Sequence, residues 1–145
     1  MKLKVISCKD YYDFLKDHYD APEYLIPSIK EMENPKLYLY CRENIYGKVV
    51  GVTSFLHLTP RVVETLRTVV AKGFREEGLG KSLAEDIEKI IRNKGYQKMT
   101  SHVYTDNHKM ICLKIKQGFL VEGLSRNHDG DGCHEYRMSK ELWCP

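Results

Sequence analysis

Short apolar runs alternate with polar, glycine-bearing breaks along this chain, and the period of the runs changes from one stretch to the next. Residues 3–6 read as a first strand. Tyr11, Phe14, Leu15 and His18 then recur at helical spacing behind Asp10, the expected cap. Leu25, Ile29 and Met32 repeat as a short amphipathic helix ending near Asn34 and Pro35, with Pro22 and Pro27 where helix starts tolerate proline. Residues 36–42 and 48–58, rich in Tyr, Val, Thr and Phe, predict an antiparallel hairpin turning over 44–47. Residues 61–71 continue the sheet. The clearest helical stripe is Leu79, Leu83, Ile87, Ile90 and Ile91, closing before Gly95. Residues 98–104 predict another strand, and 107–117 a helix with Ile111 and Ile115 on one face and Gly118 as terminator. Two strands, 119–125 and 134–139, close the pattern across the turn-rich segment 127–132.

Composition narrows the class. The chain has 145 residues, 42% apolar and 30% charged, which suits a single domain over 1–145 with its own core. Its net charge of +3 comes from 23 basic and 20 acidic residues mixed along the chain, which gives no basic patch for nucleic acid. Cys8, Cys41, Cys112, Cys133 and Cys144 are odd in number and form no Cys-x-x-Cys pair, so a reducing, cytoplasmic setting is expected. No apolar run resembles a signal peptide or is long enough to span a bilayer, and no membrane partner is expected.

Candidate chemistry concentrates where a valine-rich strand hands over to the strongest helix, at Gly73, Gly78 and Gly80. The first turn of a helix presents unpaired N–H groups and the positive end of its dipole, and glycines let a phosphate reach the backbone. Gly80-Lys81-Ser82 matches the end of a Walker A loop, but Arg75 stands where that loop needs its first glycine. The glycines also fall in the wrong order for a dinucleotide fingerprint. The stretch Arg75-x-x-Gly78-x-Gly80 after the strand resembles the coenzyme-binding motif of the GNAT superfamily of N-acetyltransferases, and residues 107–119 resemble that family's downstream motif.

The resemblance implies an α+β, three-layer (α/β) fold: a mixed, mostly antiparallel central sheet of six to seven strands flanked by about four helices. It implies an N-acetyltransferase that moves acetyl from acetyl-CoA to a primary amine of a small molecule or protein, by direct attack in a ternary complex. The alternative is a non-catalytic acyl-CoA-binding or sensor module of the same fold. Backbone N–H groups of Arg75, Glu76, Glu77, Gly78, Leu79, Gly80 and Lys81 would hold the coenzyme's pyrophosphate, helped by the side chains of Arg75, Lys81 and Ser82. Val69 and Val70 would pair with the pantetheine arm, and Asn107 would bond the same region or simply cap its helix.

An alkyl amine is mostly protonated at neutral pH, so the reaction needs a base. Glu64 is the candidate, because in a regular strand Glu64, Leu66, Thr68 and Val70 share one face. A strand N–H near Val70 would stabilise the oxyanion. The family often carries a tyrosine seven residues after the asparagine as general acid; Lys114 stands there, leaving Lys114, Tyr104 or water for the thiolate. Asp17, Tyr19, Asp20, Glu23 and Tyr24 form either an acidic, aromatic rim for a cationic acceptor or a solvated helix end. The cluster His128, Asp129, Asp131, Cys133, His134 and Glu135 matches neither a zinc spacing nor a calcium loop, so it is read as a hairpin turn with no metal. The sequence leaves a homodimer open.

Overall fold

The computed structural model describes residues 2–142, and Cys144 lies outside them. Its strands are β1 (Lys4–Val5), β2 (Leu37–Glu43), β3 (Val49–Thr59), β4 (Val62–Val70), β5 (Lys98–Tyr104), β6 (Leu120–Ser125) and β7 (Glu135–Glu141). Its helices are α1 (Cys8–His18), α2 (Ile29–Met32), α3 (Leu79–Asn93) and α4 (His108–Lys116). The strands form one sheet in the order β1-β2-β3-β4-β5-β7-β6, antiparallel throughout except for the parallel β4–β5 pair. This is the expected mixed, mostly antiparallel architecture.

Both faces of the sheet are covered. Tyr11, Phe14 and Leu15 of α1 and Met32 of α2 pack with Leu39, Cys41, Val52 and Val69 on one face. Ile87 and Ile91 of α3 pack with Tyr40, Phe55, Val63, Met99, Val103 and Met138 on the other, with Met110 and Ile111 of α4 against the same core. Neighbouring residues such as Leu39 and Tyr40 enter opposite cores, as the pleat requires. Burying each such large side chain contributes about 1.5–3 kcal/mol.

Local signals explain where the elements start. Ser7 caps α1 by accepting from the Asp10 N–H, so Asp10, the expected cap, sits inside the first turn. Its carboxylate there complements the helix dipole. The helix expected around Leu25 and Met32 is two pieces: a 3-10 turn at Glu23–Leu25, then α2 behind a Ser28–Glu31 capping box. Pro27 separates them, because the residue before proline is driven out of the helical region, and Ile26 is extended. In α4 Ile111 is half-buried while Ile115 is exposed, so the expected apolar face covers only the first turns of that helix.

Two irregularities place the site. Between Thr65 and Thr68 β4 takes three steps where β3 takes two from Thr53 to Phe55, a β-bulge. Val63 and Val69 are an even number of residues apart, yet Val63 enters the α3-side core and Val69 the α1-side core. The second irregularity is the parting of β4 and β5. Among the described residues these strands pair only through Val62 with Lys98, Val63 with Met99 and Glu64 with Thr100. Two threonines lace the vertex, Thr65 Oγ1 donating to the Thr100 carbonyl at 3.1 Å and Thr100 Oγ1 to the Val63 carbonyl at 3.2 Å. Beyond them the strands diverge, and the sheet is split.

Candidate active site

The open end of the split lies under the N-terminus of α3. Gly73, Glu76 and Gly78 all have positive φ, at 90°, 64° and 76°. Such residues coil a backbone so that successive N–H groups turn to one side, the geometry of an anion-binding nest. Glu76 is the only non-glycine of the three, and holding a side chain in that conformation costs about 1–2 kcal/mol. Gly78 is the cap residue of α3 and supplies no side-chain acceptor, and no acid occupies the first turn. The first helical bond runs from the Ser82 N–H to the Gly78 carbonyl, so the amides of Leu79, Gly80 and Lys81 precede the ladder. These donors are arranged for an anion from outside the chain.

The side chains around this turn are partly committed elsewhere. The Arg75 guanidinium bonds the His18 carbonyl, Asp20 and, at 3.0 Å, the Val70 carbonyl. It ties the glycine turn to the end of α1 and pulls the Asp20 carboxyl below its usual range. Ser82 Oγ accepts from Arg42 at 2.8 Å, and the same buried Arg42 pairs with Asp86. Asn107 caps α4, its Oδ1 accepting from the Met110 N–H at 3.2 Å. Of the expected acidic rim, Asp20 is therefore paired with Arg75, and Tyr19 lies under the Arg67 guanidinium at 6.0 Å. Glu76, Glu77 and Lys81 are exposed.

Along the split, β4 turns backbone donors toward the gap. The Ala71 N–H bonds the Val50 carbonyl across β3, and antiparallel pairs alternate, so Val70, opposite Gly51, directs its N–H and carbonyl away from β3. The Arg75 bond to the Val70 carbonyl agrees with this. Thr68, one alternation further, has the same orientation. The Val69 side chain is buried in the α1-side core.

The bulge corrects one expectation. Glu64 and Val70 do not share a face: Val70 contacts the start of α3, within 3.7 Å of where a Gly80 side chain would begin, while Glu64 projects to the opposite side with Arg67 and Val69. There Glu64 Oε1 lies 2.7 Å from Nδ1 of His102. An ionised carboxylate only accepts, which puts the proton on Nδ1 and leaves Nε2 as an acceptor. The His102 ring stacks on His128, centroids 4.5 Å apart. Tyr104 follows on the same face of β5, donating to Asp129 at 3.1 Å and Asp131 at 3.4 Å. Desolvation and these carboxylates hold the Tyr104 phenol far above its usual range, making it a poor proton donor.

Lys114 is separated from this group. It reaches the α3 side, its ammonium 4.7 Å from the Phe119 ring centroid, and burial pushes its pKa down to about 8 against a smaller opposing pull from Glu88. The cost of keeping that ammonium charged is present in full below about pH 8 and fades as pH rises toward 10.5, the ordinary lysine value. Lys114→Met is therefore expected to raise the melting temperature by a few degrees at pH 7, with the gain shrinking through that window. Scanning calorimetry at pH 7 and pH 10 checks this; an equal gain at both refutes it.

His102, His128 and Glu135 were not assigned roles from sequence as catalytic or binding groups. His102 is visible only once β4 and β5 are known to be parallel and in register at Glu64 and Thr100. His128 lies in a segment read as a turn, and it is a turn, while Glu135, within the expected strand 134–139, opens β7; what the pattern does not carry is that the turn folds back over β5.

Comparison with known proteins fits this geometry. A family model described as Acetyltransferase (GNAT) family matches residues 4–119. The crystal structure of an aminoglycoside 6'-N-acetyltransferase complexed with coenzyme A aligns over 100% of this chain and 99% of its own, with TM-score 0.77 and 16% identity. The ribosomal-protein-S18-alanine N-acetyltransferase from Escherichia coli aligns over 99% and 95%, with TM-score 0.81 and 15% identity. A GNAT family acetyltransferase from Elizabethkingia anophelis with acetyl-CoA bound aligns over 90% of both chains, with TM-score 0.76 and 19% identity. At these identities the likeness is one of fold. No curated protein matches the chain in sequence.

Proposed function

We infer the activity from one premise: the chain belongs to the GNAT family of acetyltransferases, whose co-substrate is acetyl-CoA. It moves acetyl from acetyl-CoA to a primary amine by direct attack in a ternary complex. The observation that carries this reading is the split between β4 and β5, which has an anion-binding turn at its mouth and a carboxylate–histidine pair at its vertex.

The coenzyme's pyrophosphate sits on the amides of Gly78 to Lys81, where the helix dipole and unladdered N–H groups favour negative charge. The pantetheine arm lies along β4 and takes the N–H groups of Thr68 and Val70 as a strand partner would. The split connects the two faces of the sheet, so the coenzyme enters from the α3 side and its thioester meets the amine on the face that carries Glu64 and His102. His102, oriented by Glu64, takes the amine's proton at Nε2, and Glu64 stabilises the imidazolium that results. The Val70 N–H, fixed in the sheet before reaction, stabilises the oxyanion. The leaving thiolate belongs to a thiol of pKa ~8.5 and departs with little assistance. Lys114, whose ammonium rests over Phe119 on the α3 side, is separated from this vertex and takes no part in that step.

Acetyl-CoA turnover across amine classes tests the reading, with released thiol as readout and mass spectrometry locating the acetyl group on nitrogen. Thiol release that depends on an added amine is expected. Tight coenzyme binding with no amine-dependent release from any class would replace the enzyme with a binding module.

A further inference from the structure

The turn between β6 and β7 brings His128 and Asp129 onto Glu135, the first residue of β7. One ligand atom of each, an imidazole nitrogen and two carboxylate oxygens, lies within 4.8 Å of the others, and His128 Nε2 is 3.9 Å from Glu135 Oε2. Glu135 is only 7% exposed, and its Oε2 is buried with no hydrogen-bond partner. A buried carboxylate oxygen without a donor is costly, so this site favours a cationic partner. The turn is held in shape around it. Tyr104 donates to Asp129 and Asp131, the Gly132 N–H bonds Asn127 Oδ1 at 2.6 Å, and the Asn127 N–H bonds His134 Nδ1 at 3.0 Å.

The spacing separates two kinds of cation. Ligands around tetrahedral zinc, at about 2.0–2.1 Å, stand roughly 3.3 Å apart. Acceptors around an ammonium group, at about 2.8–2.9 Å, stand roughly 4.6 Å apart, and an ammonium offers three N–H donors for three acceptors. The observed spacing, 3.9 Å for one pair and up to 4.8 Å for the set, is wider than zinc's. Position adds to this: the His128 ring stacks on His102, so the cradle adjoins the pair at the vertex of the split.

Resting on the acetyltransferase reading, we propose that His128, Asp129 and Glu135 form a subsite for a second cationic nitrogen of the acceptor. The preferred acceptors are then amines that carry another ammonium group, one nitrogen facing His102 and the other in the cradle. Burial, with Asp129 as the next cause, holds the Glu135 carboxyl above its usual range, and an incoming ammonium offsets both effects.

The test is calorimetric titration of 1,4-diaminobutane against 1-aminobutane, and of 1,6-diaminohexane against 1-aminohexane, with the free protein and its coenzyme A complex. At least one diamine is expected to bind ~10-fold or more tightly than its monoamine, and Glu135→Gln and Asp129→Asn should each bring the ratio near one. Asp129 lies on an exposed turn, so its variant keeps the test valid if Glu135→Gln fails to fold. Equal affinities in wild type, or a preference surviving in the variants, overturns the proposal. So does zinc chloride binding that both variants abolish and no diamine displaces. Thiol release with the same amines separates the two readings: diamine preference without turnover keeps the subsite and removes the enzyme.

Discussion

Glutamate in place of Gly80 is expected to weaken acetyl-CoA binding by ~100-fold or more, about 2.7 kcal/mol, while moving the melting temperature by no more than a few degrees. Gly80 is the cleaner of the two glycines to change. Its φ is not in the left-handed region, and an added Cβ would meet only Val70 Cγ2, at an ordinary 3.7 Å. The rest of the glutamate side chain would extend into the mouth of the split beside the Leu79 to Lys81 amides, and set a carboxylate against the coenzyme's phosphates. Gly78 differs, because its φ of 76° penalises any side chain by about 1–2 kcal/mol whether or not a phosphate binds there. Gly80→Ala serves as control and is expected to stay close to wild type in both affinity and stability. Calorimetry with acetyl-CoA reads the affinity, and an unchanged value for Gly80→Glu removes the phosphate site from this corner.

The second large effect is expected at the vertex. Glu64→Gln keeps an oxygen that can accept from His102 Nδ1 but loses the charge that stabilises the imidazolium, and is expected to lower kcat by ~100-fold. The defect should shrink as pH approaches the amine's own pKa, because the neutral amine then no longer needs a base. His102→Asn should show a loss of similar size with the same pH dependence. If the two act as one unit, the double variant is no slower than the slower single one. A Glu64→Gln pH profile parallel to wild type at all pH values eliminates the pair as the base.

These expectations draw on what the sequence carried and on what it did not. The glycine turn and the α3 stripe were legible because they are local: the φ requirement of Gly78 and the helical spacing of Leu83, Ile87 and Ile91 are written in adjacent residues. The hairpin of β2 and β3 was legible for the same reason. Non-local geometry was not. One extra residue between Thr65 and Thr68 reverses the face of everything before it, and no residue type there announces the bulge. Period-two reasoning therefore placed Glu64 beside Val70 when the sheet lies between them. Arg75 looked like a phosphate ligand because its charge suits one. Its partners, the His18 carbonyl at the end of α1 and Asp20 just beyond it, lie more than fifty residues earlier. Lys114 stood at the right count from Asn107, yet its ammonium rests over Phe119, across the sheet from Glu64 and Tyr104.

The strand order bears on how the molecule comes into being. β6 precedes β7 in the chain but touches the rest of the sheet only through it, since β7 lies between β5 and β6. While the polypeptide is being synthesised, residues 120–125 have no neighbour to join until residues 135–141 have been added and have zipped onto β5. Leu120, Val121 and Leu124 are exposed even in the finished protein, so this waiting segment is apolar and open to self-association. Expression yield should therefore depend more steeply on substitutions in β7 than on equally buried ones in β3, because β7 alone supplies the backbone partner of residues 120–125.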